Sequence, residues 1–426
     1  MPINFKLNYL ALLIMSVLGH AAHANPVGGS STTATFNTVG NQLDVTTNAT
    51  SSIINWTSFS IANGQTTNII QPTNTSVSLN RVTGTVSSVI AGNLNSNGKV
   101  VLVNQNGIVF SSTAVVNVGG LIASTLNITD ADFNLGNNVI AGTSSAQVIN
   151  EGTIEVSSGG TAALIGQSVT NGSSGVIRAP DGNVWLLAGR GVTVSSLGTP
   201  EISATVSAPA GEARNLGSLF SPGGLVAMIG DTVKTSGLIN ADMVSTTAGR
   251  VILRSSHDLT IDRNATIEAR GGSVVLDALD GHVRLLKRSV VDATGGTIDI
   301  NGLTITQDLA TGTSLKANRV TTRSSKRGTR LNQATNDIIS LTSESVNADG
   351  TTERTTLEEN SILETPLADL IPPRIEGVTA SDPNRDVVST QTAELETSPA
   401  APSLPSNTGS NNAEKNPMRN RFVCSA

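Results

Sequence analysis

The chain has 426 residues, of which 14% are charged and 2% aromatic, and its formal net charge at pH 7 is −6. An acidic chain lacks the phosphate attraction that drives nucleic-acid binding, so nucleic acid is excluded as an expected partner. Cys424 is the single cysteine, which excludes an internal disulfide and leaves packing to hold the fold.

The N-terminus carries a short apolar segment over residues 10–18, preceded by Lys6. It ends in the small-residue pattern Ala22-His23-Ala24 before Asn25. This pattern predicts a secretory signal peptide over residues 1–24, cleaved between Ala24 and Asn25. The segment is shorter than the roughly 20 apolar residues that a spanning helix needs, and we expect no stable membrane span anywhere in the chain.

Several separate motifs follow in order between residues 53 and 133. They are Ile53-Ile54-Asn55-Trp56-Thr57-Ser58-Phe59, Gln71-Pro72, Ser78-Leu79-Asn80-Arg81-Val82-Thr83-Gly84, Asn104-Gln105-Asn106-Gly107-Ile108 and the stretch from Val116 to Asp130. Their order and spacing resemble the haemagglutination-activity domain of filamentous haemagglutinin, the secretion domain of two-partner-secretion exoproteins. The resemblance covers residues 25–260. It implies a right-handed parallel β-helix that leaves the cell through a cognate outer-membrane barrel.

In that family an Asn-Pro-Asn-Gly type motif helps to form the folded domain that the barrel recognises. The resemblance therefore implies that Asn80, Arg81, Asn104, Asn106 and Gly107 form the secretion motif, with Gln105 where the family usually has proline. A purely structural reading, in which Asn104, Asn106 and Gly107 form a β-helix corner, stays open. Asn80 and Arg81 should point outward if Leu79 and Val82 are core residues, although the imperfect alternation also allows Asn80 to be a corner residue.

Similar turns recur along the chain. Gly160 and Gly182 lie 22 residues apart, and Gly249, Gly272 and Gly296 follow at steps of 23 and 24, each before an alternating apolar strand. Gly224 lies 42 residues after Gly182, close to two periods. Short alternating strands put one face inward, and stacked coils make a continuous core. The period therefore predicts an all-β, parallel β-helix of roughly 12 to 14 coils, with glycines at corners that need positive φ and asparagines stacked along the axis.

The β-helical coils are expected to continue over residues 261–325. Over residues 326–426 the period vanishes. The segment between Glu344 and Glu396 contains twelve acidic and three basic residues. This acidic, Ser/Thr/Pro-rich composition predicts a disordered C-terminal tail. Cys424 within it is either incidental or an intermolecular tether.

Parallel β-helices also carry polysaccharide lyases and hydrolases, so a catalytic function is an alternative. It would need clustered carboxylates, whereas the acidic residues of the folded region occur singly, as on a solvated face: Asp258, Asp262, Glu268, Asp277, Asp280 and Asp292. His257 and His282 have no partner at metal-ligand spacing. No catalytic residue, metal ligand or cofactor is predicted, and Trp56 and Trp185 are expected to be core residues.

The sequence thus predicts a non-catalytic exoprotein that passes through the periplasm and ends outside the cell or on its surface. An adhesin or haemagglutinin-like protein that binds a host-cell or glycan receptor is the favoured role. The alternatives are a β-helical polysaccharide-active enzyme and an extracellular matrix scaffold.

Overall fold

A computed structural model of the chain describes residues 25–136, 139–194, 204–206, 209–308, 312–324, 329–331, 336–346, 351–358 and 422–424. The predicted signal peptide, including Ala24, and most of the predicted tail lie outside these residues. The described part is almost entirely β-structure, with 37 strands and one short helix.

The first strands are β1 (Ala34–Val39), β2 (Gln42–Thr47), β3 (Ser51–Trp56), β4 (Thr66–Ile70), β5 (Val77–Val82), β6 (Ser88–Ile90), β7 (Asn93–Ser96), β8 (Lys99–Val103), β9 (Ile108–Phe110), β10 (Val115–Val118) and β11 (Gly120–Ser124). After the helix α1 (Asp130–Leu135) come β12 (Val139–Ala141), β13 (Gln147–Asn150), β14 (Thr153–Val156), β15 (Thr161–Gly166), β16 (Ser168–Asn171), β17 (Val176–Arg178), β18 (Asn183–Ala188), β19 (Gly191–Val194) and β20 (Ala204–Val206). The middle strands are β21 (Glu212–Asn215), β22 (Ser218–Phe220), β23 (Leu225–Gly230), β24 (Thr232–Thr235), β25 (Leu238–Asn240), β26 (Arg250–Ser255), β27 (Leu259–Ile261), β28 (Thr266–Glu268) and β29 (Ser273–Ala278). The last are β30 (His282–Leu285), β31 (Val290–Gly302), β32 (Thr304–Gln307), β33 (Ser314–Ser324), β34 (Thr329–Arg330), β35 (Asp337–Val346), β36 (Thr352–Glu358) and β37 (Phe422–Cys424).

The strands stack in parallel on the equivalent strand of the next coil and form three walls. The first wall contains β2, β4, β7, β10, β14, β17, β22, β25 and β28, and the second contains β3, β5, β8, β11, β15, β18, β23, β26 and β29. The long strands β31 and β33 run through both. The third wall is the ten-stranded sheet from β6 to β34. This parallel β-solenoid of about 12 turns confirms the predicted fold class.

Alternation along each strand builds one apolar core inside the walls. In β26, Val251 and Leu253 face this inner core, whereas Ile252 belongs to a second apolar cluster outside the second wall. Successive side chains of a strand point to opposite faces, which is why neighbouring residues enter different clusters. The second wall is therefore apolar on both faces over much of its length.

Glycines stack where the first wall turns into the second. A Cβ atom on Gly182 would lie 2.0 Å from the carbonyl oxygen of Gly160, and one on Gly224 would lie 2.0 Å from that of Gly182. The residue before Gly224, Gly223, has a φ of +73°. Both properties of glycine are thus used at this corner, namely the missing side chain and the freedom to take positive φ.

Buried asparagines stack along the solenoid axis at the ends of the third-wall strands. Asn150 Nδ2 donates to Asn171 Oδ1 at 2.8 Å, and Asn171 Nδ2 donates to Asn215 Oδ1 at 2.9 Å. Asn215 Nδ2 continues to Thr235 Oγ1 at 3.3 Å. Since the asparagines are fully buried, each amide depends on its neighbours in the next coil. The predicted asparagine ladder is confirmed.

The 42 residues between Gly182 and Gly224 form one coil, not two. Strand β18 pairs directly with β23, with Asn183 opposite Leu225. The extra residues leave the solenoid after β18 and return at β21, and they contain β19 and β20. The prediction of two periods is wrong here because an insertion happens to be about as long as a coil.

Two insertions cover part of the outer face of the second wall. One contains α1 and β12, the other β19 and β20, and together with β37 the three strands make a four-stranded antiparallel sheet. Phe133 of α1, Ile140 of β12 and Val192 of β19 pack in the outer apolar cluster with Trp185. Trp185 lies between Ala163 and Ala227 in register, and these small residues leave room for its indole ring.

Antiparallel strands close both ends of the described solenoid. Strand β1 pairs with β2 at the N-terminal end, and β36 pairs with β35 at the C-terminal end. Strand β35 continues the parallel stack on β33, and its residues Ile338 and Leu341 are buried. Strand structure therefore reaches Glu358, beyond the expected coil boundary at residue 325, because alternating apolar residues persist within an acidic segment. Cys424 lies in β37, opposite Ala204 of β20.

Both tryptophans are buried, as predicted, but in different cores. Trp56 belongs to the inner core and Trp185 to the outer cluster. No helix in the described ranges is long and apolar enough to cross a membrane.

Candidate functional site

The Asn104-Gln105-Asn106-Gly107 turn joins β8 of the second wall to β9 of the third. Asn104 is fully buried, and its Oδ1 accepts hydrogen bonds from the backbone N–H of Asn106 at 2.9 Å and from Asn106 Nδ2 at 3.1 Å. The Gly107 N–H donates to the Asn104 carbonyl oxygen at 3.1 Å. Gly107 has a φ of +114°, which favours glycine. An asparagine that bonds to the backbone two residues ahead is typical of such a turn.

The same asparagines fasten the turn to the preceding coil. Asn104 Nδ2 donates to the Val86 carbonyl oxygen and to Ser88 Oγ, both at 3.0 Å. Asn106 Nδ2 donates to the Gly84 carbonyl oxygen at 2.9 Å. Residues 84–88 directly follow the strand that contains Asn80 and Arg81, so the two predicted motifs meet at one corner of the solenoid, which we call the motif corner (residues 80–88 and 104–107).

Gly84 extends the motif corner to a third coil. A Cβ atom at this position would lie 2.2 Å from the carbonyl oxygen of Thr57. Backbone therefore stacks on backbone from Thr57 to Gly84, and the Asn106 side chain links Gly84 to the asparagine turn. The corner is fixed by this main-chain packing together with short, hydrogen-bonded asparagine side chains.

Asn80 points into the solenoid. Its side chain is fully buried, Oδ1 accepts a hydrogen bond from Trp56 Nε1 at 3.1 Å, and Nδ2 donates to Ser78 Oγ at 3.2 Å. The prediction that Asn80 points outward is wrong. Leu79 faces the outer cluster instead, and on a wall that is buried on both faces an apolar residue does not identify the inner side.

Arg81 lies on the outer face of the second wall, as predicted, and contacts the first insertion. Its Nη2 donates to the Ile128 carbonyl oxygen at 2.7 Å and its Nε to Asn127 Oδ1 at 3.2 Å. Nη1 forms an ion pair with Asp130 at 2.6 Å. The Arg81 side chain is only 17% exposed. Its role in the structure is to hold the start of the covering insertion against β5.

The helix that Arg81 reaches was missed at the sequence level. Thr129 caps α1, with its Oγ1 accepting from the Asp132 N–H at 3.0 Å, and Gly136 ends it with a φ of 72°. The pattern Thr-x-x-Asp before Phe133 is an N-cap signal of the kind that starts helices. This capping pattern is the signal in the sequence that marks the start of α1.

The motif corner exposes a small polar surface. Gln105 and Asn106 are exposed, and Val86 beside them is 38% exposed. The Gln105 carbonyl oxygen accepts a hydrogen bond from Ser144 Oγ at 2.6 Å, so the first insertion also borders the corner. Ser144 is not part of the predicted secretion motif.

Asn25 is held at the N-terminal end of the solenoid. Its backbone N donates to Gln65 Oε1 at 2.6 Å, its Nδ2 donates to the Asn41 carbonyl oxygen at 3.0 Å, and its Oδ1 accepts from Thr67 Oγ1 at 3.2 Å. Asn25 is 6% exposed. The first residue after the predicted cleavage site is thus an integral part of the fold, whereas Ala24 lies outside the described residues.

Five of the six acidic residues considered for catalysis take part in ion pairs within the described chain. The pairs are Asp258–Arg284 at 2.6 Å, Asp262–Lys234 at 2.9 Å and Asp277–Arg254 at 3.0 Å, while Glu268 and Asp292 share Arg270. Most of these ion pairs join side chains on neighbouring coils.

Burial and pairing act in opposite directions on these carboxyls. Burial of Asp258 disfavours its charged form, but hydrogen bonds from the Arg284 side chain and the His282 backbone outweigh it and lower the pKa of Asp258. At Asp277 burial dominates over the ion pair with Arg254, and the pKa is raised. The ion pairs therefore differ in how far they offset the cost of burying the carboxylate.

The two histidines are engaged separately. His257 Nδ1 lies 2.6 Å from Asp231 Oδ1, and His282 Nδ1 lies 2.6 Å from Thr304 Oγ1. Within the described residues no three His, Cys, Asp or Glu side chains are grouped so that they could hold a metal ion.

The fold is that of a secretion domain known from a crystal structure. The chain is similar to the HMW1 secretion domain from Haemophilus influenzae, with a TM-score of 0.62 and 26% sequence identity over 72% of this chain and 96% of that chain. The family model of the TPS secretion domain matches residues 22–276. The chain belongs to this two-partner-secretion (TPS) family, and the resemblance seen in its motifs is confirmed.

The curated relatives are longer proteins. The chain is 28% identical over 332 residues to a heme/hemopexin-binding protein of Haemophilus influenzae (strain ATCC 51907 / DSM 11121 / KW20 / Rd), a match that covers 70% of this chain and 36% of that protein. A second heme/hemopexin-binding protein of Haemophilus influenzae is 33% identical over 131 residues, or 29% of this chain and 14% of that protein. The chain spans about a third of the first relative's length and less of the second's.

Proposed function

We propose that the motif corner is the surface through which an outer-membrane transporter recognises this chain for export. TPS exoproteins are secreted across the outer membrane, and membership of the family implies a transporter partner. The observation that carries the proposal is that Asn106 is exposed while its side chain also bonds to Gly84 and Asn104. A preformed polar corner of this kind loses little conformational entropy when a partner binds it.

The experiment compares export of Asn106→Ala and Asn93→Ala with that of the unchanged chain, in cells with and without the transporter. Asn93 is a matched control, since it is exposed and its side chain also donates a hydrogen bond to a neighbouring coil, at Thr66 Oγ1. We expect the Asn106→Ala variant to accumulate in the periplasm and the Asn93→Ala variant to be exported. Equal export of the two variants, with unfolding midpoints unchanged, would remove the motif corner as the recognised surface.

The proposal includes removal of a signal peptide between Ala24 and Asn25. The buried position of Asn25 and its three hydrogen bonds support a mature chain that begins there. Mass spectrometry of the exported protein tests this point. A mature N-terminus several residues downstream would leave Gln65 and Thr67 without their contacts and would refute the cleavage site.

Outside the cell we propose a non-catalytic binding role, in the medium or on the surface. Ion pairs occupy most of the candidate catalytic carboxylates, which supports binding over a polysaccharide-active enzyme. An adhesin or haemagglutinin-like role is tested by adherence and haemagglutination with purified protein. Release of unsaturated uronate products would establish the enzyme instead, and a surface network that depends on Cys424 would establish the matrix scaffold.

The relatives add a second candidate, binding of haem or of hemopexin. The match to a heme/hemopexin-binding protein extends over 332 residues, well beyond the motif corner. Titration with haem, followed by its absorbance, and a pull-down with hemopexin test the two ligands separately. Adherence without either binding activity would favour the adhesin.

A further inference from the structure

The outer face of the second wall changes its chemistry along the solenoid axis. Under the covering insertions, one row of outward side chains is apolar, with Ile165, Leu187 and Ile229 on successive coils. The row continues on the next coils with Arg254, Asp277, Asn301, Arg323 and Glu344. Adjacent parallel strands are about 4.8 Å apart, so these polar side chains are direct neighbours. We call this second set the polar row.

A cleft follows the polar row. Its volume is about 400 Å3, and its lining includes Asp277, Leu279, Asn301, Arg323, Glu344 and Thr352. Pockets that hold small ligands have volumes of about 300–1,000 Å3. The cleft is therefore large enough for a ligand of disaccharide size. It lies beyond the covering insertions and is separate from the motif corner, which is formed by residues 80–88 and 104–107.

Asp277, Glu344 and Arg323 line the cleft. Two further guanidinium groups, those of Arg254 and Arg354, lie beside it as ion-pair partners of the two carboxylates. Arg254 is paired with Asp277 at 3.0 Å. Glu344 is shared between Arg323 at 2.9 Å and Arg354, opposite it on β36, at 3.5 Å. The side chains of Arg323 and Arg354 are 63% and 66% exposed. One carboxylate between two exposed guanidiniums leaves positive charge facing the solvent, and a planar guanidinium is well suited to bind a second carboxylate.

The rest of the cleft suits hydroxyl groups. Asn301 offers both donors and an acceptor, and the Asp277 carboxylate is an acceptor held in place by Arg254. Leu279, which is 43% exposed, gives an apolar contact. Saccharides combine hydroxyl edges with apolar C–H faces, so a cleft with both kinds of group fits them better than it fits a purely apolar or purely ionic ligand.

We propose that the polar row binds a short saccharide that carries a carboxylate, such as a disaccharide of uronic acid. Arg323 and Arg354 contact the carboxylate of the ligand, and Asn301 and Asp277 contact its hydroxyl groups. This inference rests on the proposed binding role outside the cell and deepens it by naming a class of ligand and the residues that bind it. Adherence or haemagglutination without binding of the saccharide would refute the inference and leave the binding role standing, and neither measurement needs the transporter.

The test is titration calorimetry of the purified chain with digalacturonate, with neutral digalactose as the comparison sugar. We expect Arg323→Gln to weaken binding of digalacturonate about tenfold or more, and Arg323→Lys to weaken it less because the charge is kept. Arg178→Gln is the matched control, since Arg178 is 44% exposed and paired with Glu155 on the first wall. Its affinity should equal that of the unchanged protein.

Three results would overturn the proposal. They are no binding of digalacturonate by the unchanged protein, equal affinity in Arg323→Gln, and binding of digalactose as tight as that of digalacturonate. Thermal unfolding of each variant shows whether it is folded, and Arg323→Lys keeps the test valid if Arg323→Gln does not fold.

Discussion

Trp56 donates a hydrogen bond from its indole Nε1 to Oδ1 of Asn80 at 3.1 Å, inside the core of the solenoid. The two side chains are 1% and 0% exposed, so neither can bond to water instead. The contact joins β3 to β5 on the next coil. Trp56 also packs edge-to-face against Phe36 of the N-terminal antiparallel strand, with ring centroids 5.3 Å apart. A polar residue of the predicted secretion motif thus supports the cap of the solenoid.

Replacing Asn80 with alanine should lower the free energy of unfolding by about 1–3 kcal/mol, because it leaves the Trp56 N–H buried without an acceptor. Urea denaturation followed by tryptophan fluorescence measures this change. The control Asn93→Ala removes an exposed amide and should stay within about 0.5 kcal/mol of the unchanged protein. Equal stability of the two variants would mean that the buried hydrogen bond contributes nothing measurable.

Arg81 should control the mobility of the insertion that contains α1. In Arg81→Ala the carbonyl of Ile128 and the amide of Asn127 lose their donor, so we expect hydrogen exchange in residues 127–133 to accelerate about tenfold, equivalent to about 1.4 kcal/mol. Asp130→Asn should have a smaller effect, since the Asp130 side chain is 59% exposed and exposed ion pairs contribute about 0–1 kcal/mol. Faster exchange throughout the chain would point to global destabilisation instead.

The repeat could be read from the sequence because each coil repeats one physical requirement. Gly182 and Gly224 must leave space for a carbonyl oxygen, and Asn150, Asn171 and Asn215 must bond to one another. Such requirements recur at equivalent positions and leave a visible period.

The covering insertions could not be read in this way. Residues between β18 and β21 occur once, and their length imitates a coil. The sequence also does not show on which face of β5 Asn80 lies, because Leu79 is as apolar as an inner residue but belongs to the outer cluster. Only the strand register, with Asn80 opposite the core residue Leu102, assigns its face. Alternation alone determines two faces but not which one is inside.

Gly107 should be sensitive to substitution because of its backbone conformation. An alanine there meets no atom closer than 3.6 Å, so its cost comes from the φ of +114° and should be about 1–3 kcal/mol. Gly142→Ala is a matched control, because its nearest neighbour is also at 3.6 Å while its φ lies outside the left-handed region. Urea denaturation compares the two. A loss of stability in Gly142→Ala as large as that in Gly107→Ala would show that backbone conformation is not the cause.

Asp292 should make the solenoid sensitive to acid. Burial disfavours its charged form, but hydrogen bonds from Thr294 and Arg270 outweigh burial and lower the pKa of Asp292. Because its pKa is lower in the folded state than the unfolded value of about 3.9, the carboxylate stabilises the fold above about pH 3.9, and this contribution is lost as the pH falls through the folded pKa. Asp292→Asn should therefore lower the free energy of unfolding near neutral pH. Below about pH 3.9, the free energy of unfolding of this variant should depend less on pH than that of the unchanged protein. Urea denaturation over this range measures both effects, and a variant that loses stability as steeply as the unchanged protein would contradict the assignment.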